Sequence, residues 1–246
     1  MVKTYRIESD SLGKKKVPSS AYYGIQTQRA IENFPISGVM HSPEFLDSYI
    51  IIKKAAAKTN TKLKILDKKL SSAIIKSADE VLSGKLHDQF VVDVFQMGAG
   101  TSFNMNCNEV LANRSNQLLK HKLGMYDPIH PNDHVNMSQS TNDTFPTAMQ
   151  LAACVEIRTM LIPKLTSMQK SLKAKARKWN KIVTVGRTHL MDATPIRVGQ
   201  IFSGYAASID YSVRRAERAM VRLAENMPIG GTAVGTGMNT HPKFAA

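Results

Sequence analysis

The sequence predicts a mainly α-helical protein, with an N-terminal helical domain followed by the first long helices of an elongated central helical bundle. Apolar residues recur at intervals of three and four along most of the chain, which is the period of an amphipathic helix. The two longest periodic segments lie in the second half, and helices of that length are typical of elongated bundles. We therefore expect an N-terminal domain with anion-binding loops over residues 1–141 and the first part of the bundle over residues 142–246.

Helices are predicted first over residues 43–63, which are rich in helix formers and place acidic residues early and lysines late, as the helix dipole favours. A second helix is predicted from Asp67, a good N-cap, to Gly84, a good C-terminal stop. A third is predicted from an apolar stripe to begin near Ser102 and to end by Gly124. Alternation of β-branched residues does not reach a useful length in this half, so no strand is expected here.

In the second half, one very long periodic segment runs over residues 148–179, with a local bend expected at Pro163. Another begins after Thr194 and Pro195, which suit an N-cap and a first helical turn, and continues to Leu223. Apolar seams on helices of this length favour association with further copies of the chain.

Composition excludes several classes of protein. With 43% apolar and 21% charged residues, the chain is neither disordered nor collagenous, and two cysteines do not make a disulfide framework. Its 33 lysines and arginines exceed its 19 acidic residues, for a formal net charge of +14, which suits an anionic partner without identifying one. The opening MVKTYRIESD has no apolar signal region, and no membrane-spanning stretch is expected, so we expect a cytoplasmic protein.

Polar stretches interrupt the helical pattern at residues 98–106, 130–147, 185–195 and 230–242, and all but the second contain glycine. In the first, GAGTS can be only a loop and a helix cap. Alternatively, Thr101 and Ser102 form a small anion site with the free amides of the following helix.

The run Ser138–Asp143 carries the strongest functional signal. It is an unbroken series of short polar side chains directly before a predicted helix that has Pro146 in its first turn. One cap would satisfy the helix, so the surplus of donors and acceptors favours a ligand. A carboxylate suits it better than a phosphate, because the run has no lysine or arginine.

The third stretch places Thr188 and His189 beside Arg187, in a predicted loop between the two longest helices. A loop histidine can be structural, or it can orient or titrate against an anion. His130 and His134 have the spacing of metal ligands, but Pro131 and Asn132 argue against the helix that would bring both rings to one ion, so no metal site is predicted.

Two further segments are given structural interpretations. The run GGTAVGTG lacks the lysine of a phosphate-binding loop and the preceding strand of a dinucleotide fingerprint, so it is predicted to be a loop. Lysines and arginines are frequent over residues 164–181, but exposed aromatic residues are not interleaved with them, so we expect a solvated helix face and no nucleic-acid binding.

Taken in order, the segments at 21–38, 98–114, 130–152 and 186–195 resemble the aspartase/fumarase superfamily, and the likeness runs from RIESDSLG to GTGMNTHPKF. Within it, the AYYG opening and the Ser-Thr-Asn form of the polar run are most similar to the aspartate ammonia-lyase branch. Fumarases usually have a second serine in place of Thr141, although HPND and GGTAVGTG fit fumarase equally well.

The resemblance implies elimination of ammonia from L-aspartate to give fumarate through an enediolate intermediate, without a cofactor. It also implies self-association to a homotetramer with active sites shared between subunits, and no membrane or nucleic-acid partner. Preorganised donors around the enediolate oxygens can each contribute roughly 3 kcal/mol of transition-state stabilisation. By the same resemblance, Thr101, Ser140, Thr141 and Asn142 would hold the β-carboxylate. Thr188 and the candidate catalytic residue His189 would hold the amino and α-carboxylate end.

The resemblance places the superfamily's signature loop, with its serine base and substrate-binding lysine, beyond residue 246. We therefore expect the chain to be truncated, inactive as a lyase on its own and prone to aggregate. Alternatives are fumarase, which hydrates fumarate to malate, and a non-enzymatic structural protein on the same scaffold, as in the lens crystallins of this superfamily.

Overall fold

The computed structural model describes residues 4–245, and within them the structure is mainly α-helical, as predicted. The strands and helices, in chain order, are β1 Tyr5–Asp10, β2 Gly13–Pro18, α1 Ile25–Asn33, α2 Pro43–Lys62, α3 Lys68–Leu82, α4 Thr101–Leu118, α5 Thr141–Glu156, α6 Ile162–Lys178, β3 Val183–Thr188, β4 Met191–Arg197 and α7 Val198–Glu225. Short helical turns lie at His87–Gln89, Pro131–Val135 and Ile157–Leu161.

The chain divides into two compact units. One contains the chain up to Ala152 together with the residues from Met227 onward, and the other is Ala153–Asn226. The proposed boundary between residues 141 and 142 concerns the domains of a longer protein and stays a prediction.

The first unit has its core between α2, α3 and α4. Tyr49, Ile74 and Phe103 are almost fully buried there. The predicted helix starts are confirmed, because Ser42 caps α2 ahead of Pro43 and the Asp67 carboxylate accepts from two backbone amides of α3.

Helix α4 begins at Thr101 and ends at Leu118, within the limits predicted for it, and its N-cap is Gly100 with no capping side chain. Two other expectations are wrong. Pro146 lies inside α5 rather than in its first turn, because α5 already begins at Thr141, within the polar run. The irregularity expected at Pro163 is a π-helical turn at Ile157–Leu161, on the N-terminal side where a proline ring displaces backbone carbonyls.

The structure also contains hairpins that the sequence did not predict. β1 pairs antiparallel with β2, and β3 pairs antiparallel with β4, so the segment over residues 185–195 is not a loop. Pro195 pairs with Val185 within this second hairpin, and α7 therefore begins at Val198 rather than after Thr194.

In the second unit, α6 packs against α7 but buries none of its residues fully, and α7 buries only Gly199 and Ala206. None of the described helices is long and apolar enough to cross a membrane.

Candidate functional site

The starts of α4 and α5 lie side by side in the first unit. Gly100, the N-cap of α4, has φ of +83°, and a Cβ there would lie 2.0 Å from the ring of Phe145 in α5. Only glycine fits both the backbone conformation and this close approach. Because the amino ends of helices attract anions, adjacent starts make a suitable place for a carboxylate.

A buried polar network joins the two helix starts. The Tyr49 hydroxyl donates to Asn104 Oδ1 in α4 at 3.1 Å and lies 2.9 Å from Thr144 Oγ1 in α5. The ammonium of Lys53 donates to Asn104 Oδ1 at 2.7 Å and to Asn136 Oδ1 at 2.8 Å. These contacts fix the first turns of α4 and α5 relative to each other.

Lys53 is fully buried, and burial lowers its pKa to about 7, although the negative charge of Asp143 acts in the opposite direction. Burial also raises the pKa of the Cys107 thiol, so this group stays protonated at neutral pH. A buried ammonium is costly, and such groups cluster at functional sites. Lys53 was not predicted from the sequence to be a functional residue, because a lysine within a helix is ordinarily exposed.

Within the polar run, Ser140 and Asp143 form a reciprocal cap on α5. Ser140 Oγ accepts from the Asn142 amide at 3.3 Å, and Asp143 Oδ1 accepts from the Ser140 amide at 3.0 Å. Ser138 is directed inward and donates to Asn60 Oδ1. The structural requirement of the helix is therefore met by only part of the run.

The remaining donors of the run are uncharged. As an N-cap, the Ser140 hydroxyl accepts a hydrogen bond and still has its own proton to donate. Thr141, which is only 8% exposed, carries a second hydroxyl. Asn142 is exposed and donates one amide hydrogen to the carbonyl of Ala233 at 2.8 Å, which leaves it a second hydrogen. Thr101 begins α4 and is half-buried. The first unit thus contains all four of the residues expected to hold one carboxylate.

A glycine-rich loop over residues 230–239 lies against this run. Besides Ala233, its amides at Gly230 and Thr232 donate to Asp143 Oδ2 at 3.1 and 2.8 Å. A cavity of about 270 Å³ lies between the loop and the residues Gln139 and Ser140. The prediction that this segment is a loop is confirmed, but its contact with the run was not predicted.

Thr188 and His189 lie next to each other in the second unit, where β3 turns into β4, and both are exposed. His189 and Leu190 have φ of +52° and +62°, as in a tight two-residue hairpin turn, although neither residue favours that conformation. Strained backbone of this kind is concentrated at functional sites.

The prediction that Pro131 and Asn132 prevent a helical turn between His130 and His134 is wrong, because Pro131–Val135 forms a π-helical turn. His130 Nδ1 accepts from the Asp133 amide, and His134 Nδ1 accepts from the His130 amide. Within residues 4–245, three or more histidine, cysteine, aspartate or glutamate side chains do not come together as a metal-binding group.

Comparison with known proteins identifies the class of protein to which the chain belongs. A family model described as "Lyase" matches residues 13–246. The chain belongs to the aspartase/fumarase superfamily of lyases.

Similar proteins include fumarate hydratase class II of Halobacterium salinarum, which is 50% identical over 244 residues, or 99% of this chain and 52% of that protein. The mitochondrial fumarate hydratase of Homo sapiens is 48% identical over 245 residues, which is 98% of this chain and 48% of that protein. The chain thus spans about half the length of the curated relatives it matches.

Solved structures of proteins from the same superfamily also match the chain. A crystal structure of a fumarate lyase:delta crystallin from Brucella melitensis bound to cobalt has a TM-score of 0.95 at 44% identity, over 98% of this chain and 53% of that one. A class II fumarase from Schistosoma mansoni has a TM-score of 0.94 at 39% identity, over 98% of this chain and 50% of that one. These relatives favour the fumarase alternative over the aspartate ammonia-lyase branch that the sequence analysis preferred.

Proposed function

We propose that the protein containing this chain interconverts fumarate and malate by adding and removing water. The observation that carries the proposal is the set of uncharged donors at the adjacent starts of α4 and α5, beyond those needed to cap α5. Relatives that are about half identical over nearly the whole chain bear the name fumarate hydratase, which supports water rather than ammonia as the leaving group.

The proposed reaction requires hydrogen-bond donors at the carboxylate next to the carbon that loses its proton. Removing a proton from the carbon next to a carboxylate places a second negative charge on that carboxyl group, and its stabilisation is the main energetic problem. In this proposal Thr101, Ser140, Thr141 and Asn142 donate to those oxygens. Each donor contributes roughly 3 kcal/mol when it is fixed in place before the reaction. No cofactor is required.

Thr188 and His189 are proposed to bind the other end of the substrate, with His189 as the candidate catalytic residue. The exposed, strained turn that presents them supports this assignment. The serine base implied by the resemblance belongs to the part of the relatives that this chain does not match. We therefore also propose that residues 1–246 alone do not catalyse the reaction.

Elimination of ammonia from L-aspartate is the second candidate. One observation favours it, since Thr141 stands where the resemblance implies a second serine in fumarases. The two reactions share the enediolate problem and differ in the group that leaves.

Supplying malate and L-aspartate separately to the full-length protein tests the proposal, with fumarate measured by its ultraviolet absorbance. We expect fumarate to form from malate. Formation from L-aspartate alone supports the second candidate, and formation from neither contradicts a lyase of this kind.

We further propose a homotetramer with shared active sites and a reducing compartment such as the cytoplasm. Neither cysteine is in a disulfide, which supports a reducing compartment, and cell fractionation checks it.

A further inference from the structure

The glycine-rich loop has an unusual backbone. Positive φ angles occur at Gly230, Thr232, Gly235, Gly237 and Asn239. Glycine and asparagine tolerate this conformation, but a β-branched threonine at φ of +56° is strained. Such strain persists only where the surrounding structure enforces it.

The carboxylate of Asp143, which is only 1% exposed, accepts a hydrogen bond from the amide of this threonine. Oδ2 accepts from the amides of Gly230 and Thr232, on either side of the first turn of the loop, while Oδ1 accepts from the amide of Ser140. One buried side chain therefore holds both the start of α5 and the start of the loop.

All three of these partners are N–H donors, so only a group with two acceptor oxygens satisfies them. An amide side chain in the same position would direct its own N–H groups at a backbone N–H. The site thus requires a carboxylate, whereas a simple helix cap can be formed by several residue types.

The loop and the polar run also enclose space. Gln139 and Ser140 line one side of the cavity of about 270 Å³, and Thr232, Val234 and Met238 line the other. Gln139 Oε1 and Thr232 Oγ1 are buried without a hydrogen-bond partner among the described residues. Unsatisfied buried groups beside a cavity indicate a place where a polar ligand completes the hydrogen bonding.

We propose that Asp143 is a positioning residue that holds the glycine-rich loop over residues 230–239 as the second wall of the dicarboxylate site. This inference rests on the proposed function. Asp143 touches no substrate in this account and acts through the loop and through Ser140. Binding of a dicarboxylate between the two walls keeps the loop closed.

Hydrogen–deuterium exchange in the full-length protein tests directly whether residues 230–239 form a wall of the dicarboxylate site. Exchange is followed with and without a saturating fumarate and malate mixture, in peptides covering residues 138–148 and 228–240, with residues 68–82 of α3 as the internal control. We expect the mixture to slow exchange in both site peptides and not in the control. Slowing at 138–148 without slowing at 228–240 overturns the inference alone, and slowing at neither overturns the proposed function together with it.

Kinetics of Asp143→Asn in the full-length protein provide the second test. A loop released from the site weakens substrate binding, so we expect KM for fumarate to rise about tenfold with a smaller change in kcat. A merely structural defect lowers the amount of active enzyme, which reduces apparent kcat and leaves KM unchanged, and that result overturns the inference.

Two further variants complete the design. Asp143→Glu keeps both acceptor oxygens and is expected to recover part of the lost affinity. Asp79→Asn, at an exposed position in α3, is the matched control and should leave KM unchanged. If Asp143→Asn does not fold, the exchange experiment on the unmodified protein decides the question.

Discussion

At the scale of single residues, the site is distinguished by polar groups that are buried at a cost. Lys53 has no exposed surface, and its ammonium contacts two amide oxygens rather than a carboxylate. An ion in such surroundings favours its neutral form, which is why burial lowers the pKa to about 7. The cost is consistent with a protein that sacrifices stability to hold a functional arrangement.

Because the pKa of Lys53 is lowered, the difference in stability between the unmodified protein and the Lys53→Met variant should depend on pH. The pKa of Lys53 is about 7 in the folded protein, and its ordinary value of 10.5 applies in the unfolded chain. Between pH 7 and pH 10.5 the unfolded chain therefore binds more protons than the folded protein. Stability contributed at this position therefore rises with pH above 7. The free energy of unfolding of the unmodified protein, minus that of the variant, should increase by about 2 kcal/mol from pH 7 to pH 9.

Urea unfolding at several pH values checks this difference. Lys58→Met, at an exposed position of the same helix, is the control and should show a difference that does not vary with pH. A pH-independent difference for Lys53→Met as well would contradict the assignment of a buried, titrating ammonium.

At the scale of elements, the sequence predicted what is local and missed what is not. The side chains of Ser42 and Asp67 accept hydrogen bonds from backbone amides in the first turns of α2 and α3. The starts of these helices could therefore be recognised from neighbouring residues in the sequence. The contact between Asp143 and Thr232 joins residues 89 apart, and one sequence has no pattern that indicates it. The polar stretches supplied the candidate residues, and the resemblance to a family supplied their expected roles. The structure added Lys53 and Asn104, and it showed the contacts of Asp143 with the glycine-rich loop.

The hairpin of β3 and β4 was missed for another reason. Its strands bury no residue fully, so they lack the buried apolar face by which a half-buried strand is recognised. Its turn has histidine and leucine where glycine or asparagine is the usual signal.

Leu190→Gly tests the strain in this turn. Leu190 is 95% exposed at φ of +62°, so the substitution removes little packing and relieves a conformation unfavourable to leucine. We expect the free energy of unfolding to rise by about 1 kcal/mol. Chemical unfolding monitored in the second unit measures it, and a loss of stability would show that the turn is not strained in this way.

At the scale of the whole molecule, the long helices leave apolar surface exposed. Met168, Tyr211 and Val221 are each about half exposed or more, and α6 buries no residue fully. Apolar surface of this extent on long helices favours association.

We expect the full-length protein to sediment as four copies. The 246 residues alone should lack lyase activity and show concentration-dependent association. Analytical ultracentrifugation of both, with a fumarate assay of each fraction, checks these points. A monomeric full-length protein with full activity would contradict active sites shared between subunits.

The most direct test of the central claim is the value of kcat/KM for fumarate in the full-length Thr141→Val protein. The substitution replaces one hydroxyl at the start of α5 with a methyl group of similar size, and Thr61→Val, near the end of α2, is the matched control. If uncharged donors stabilise the enediolate, kcat/KM should fall by about a hundredfold, or roughly 3 kcal/mol, while the control stays near the unmodified value. An unchanged kcat/KM in Thr141→Val would contradict the account.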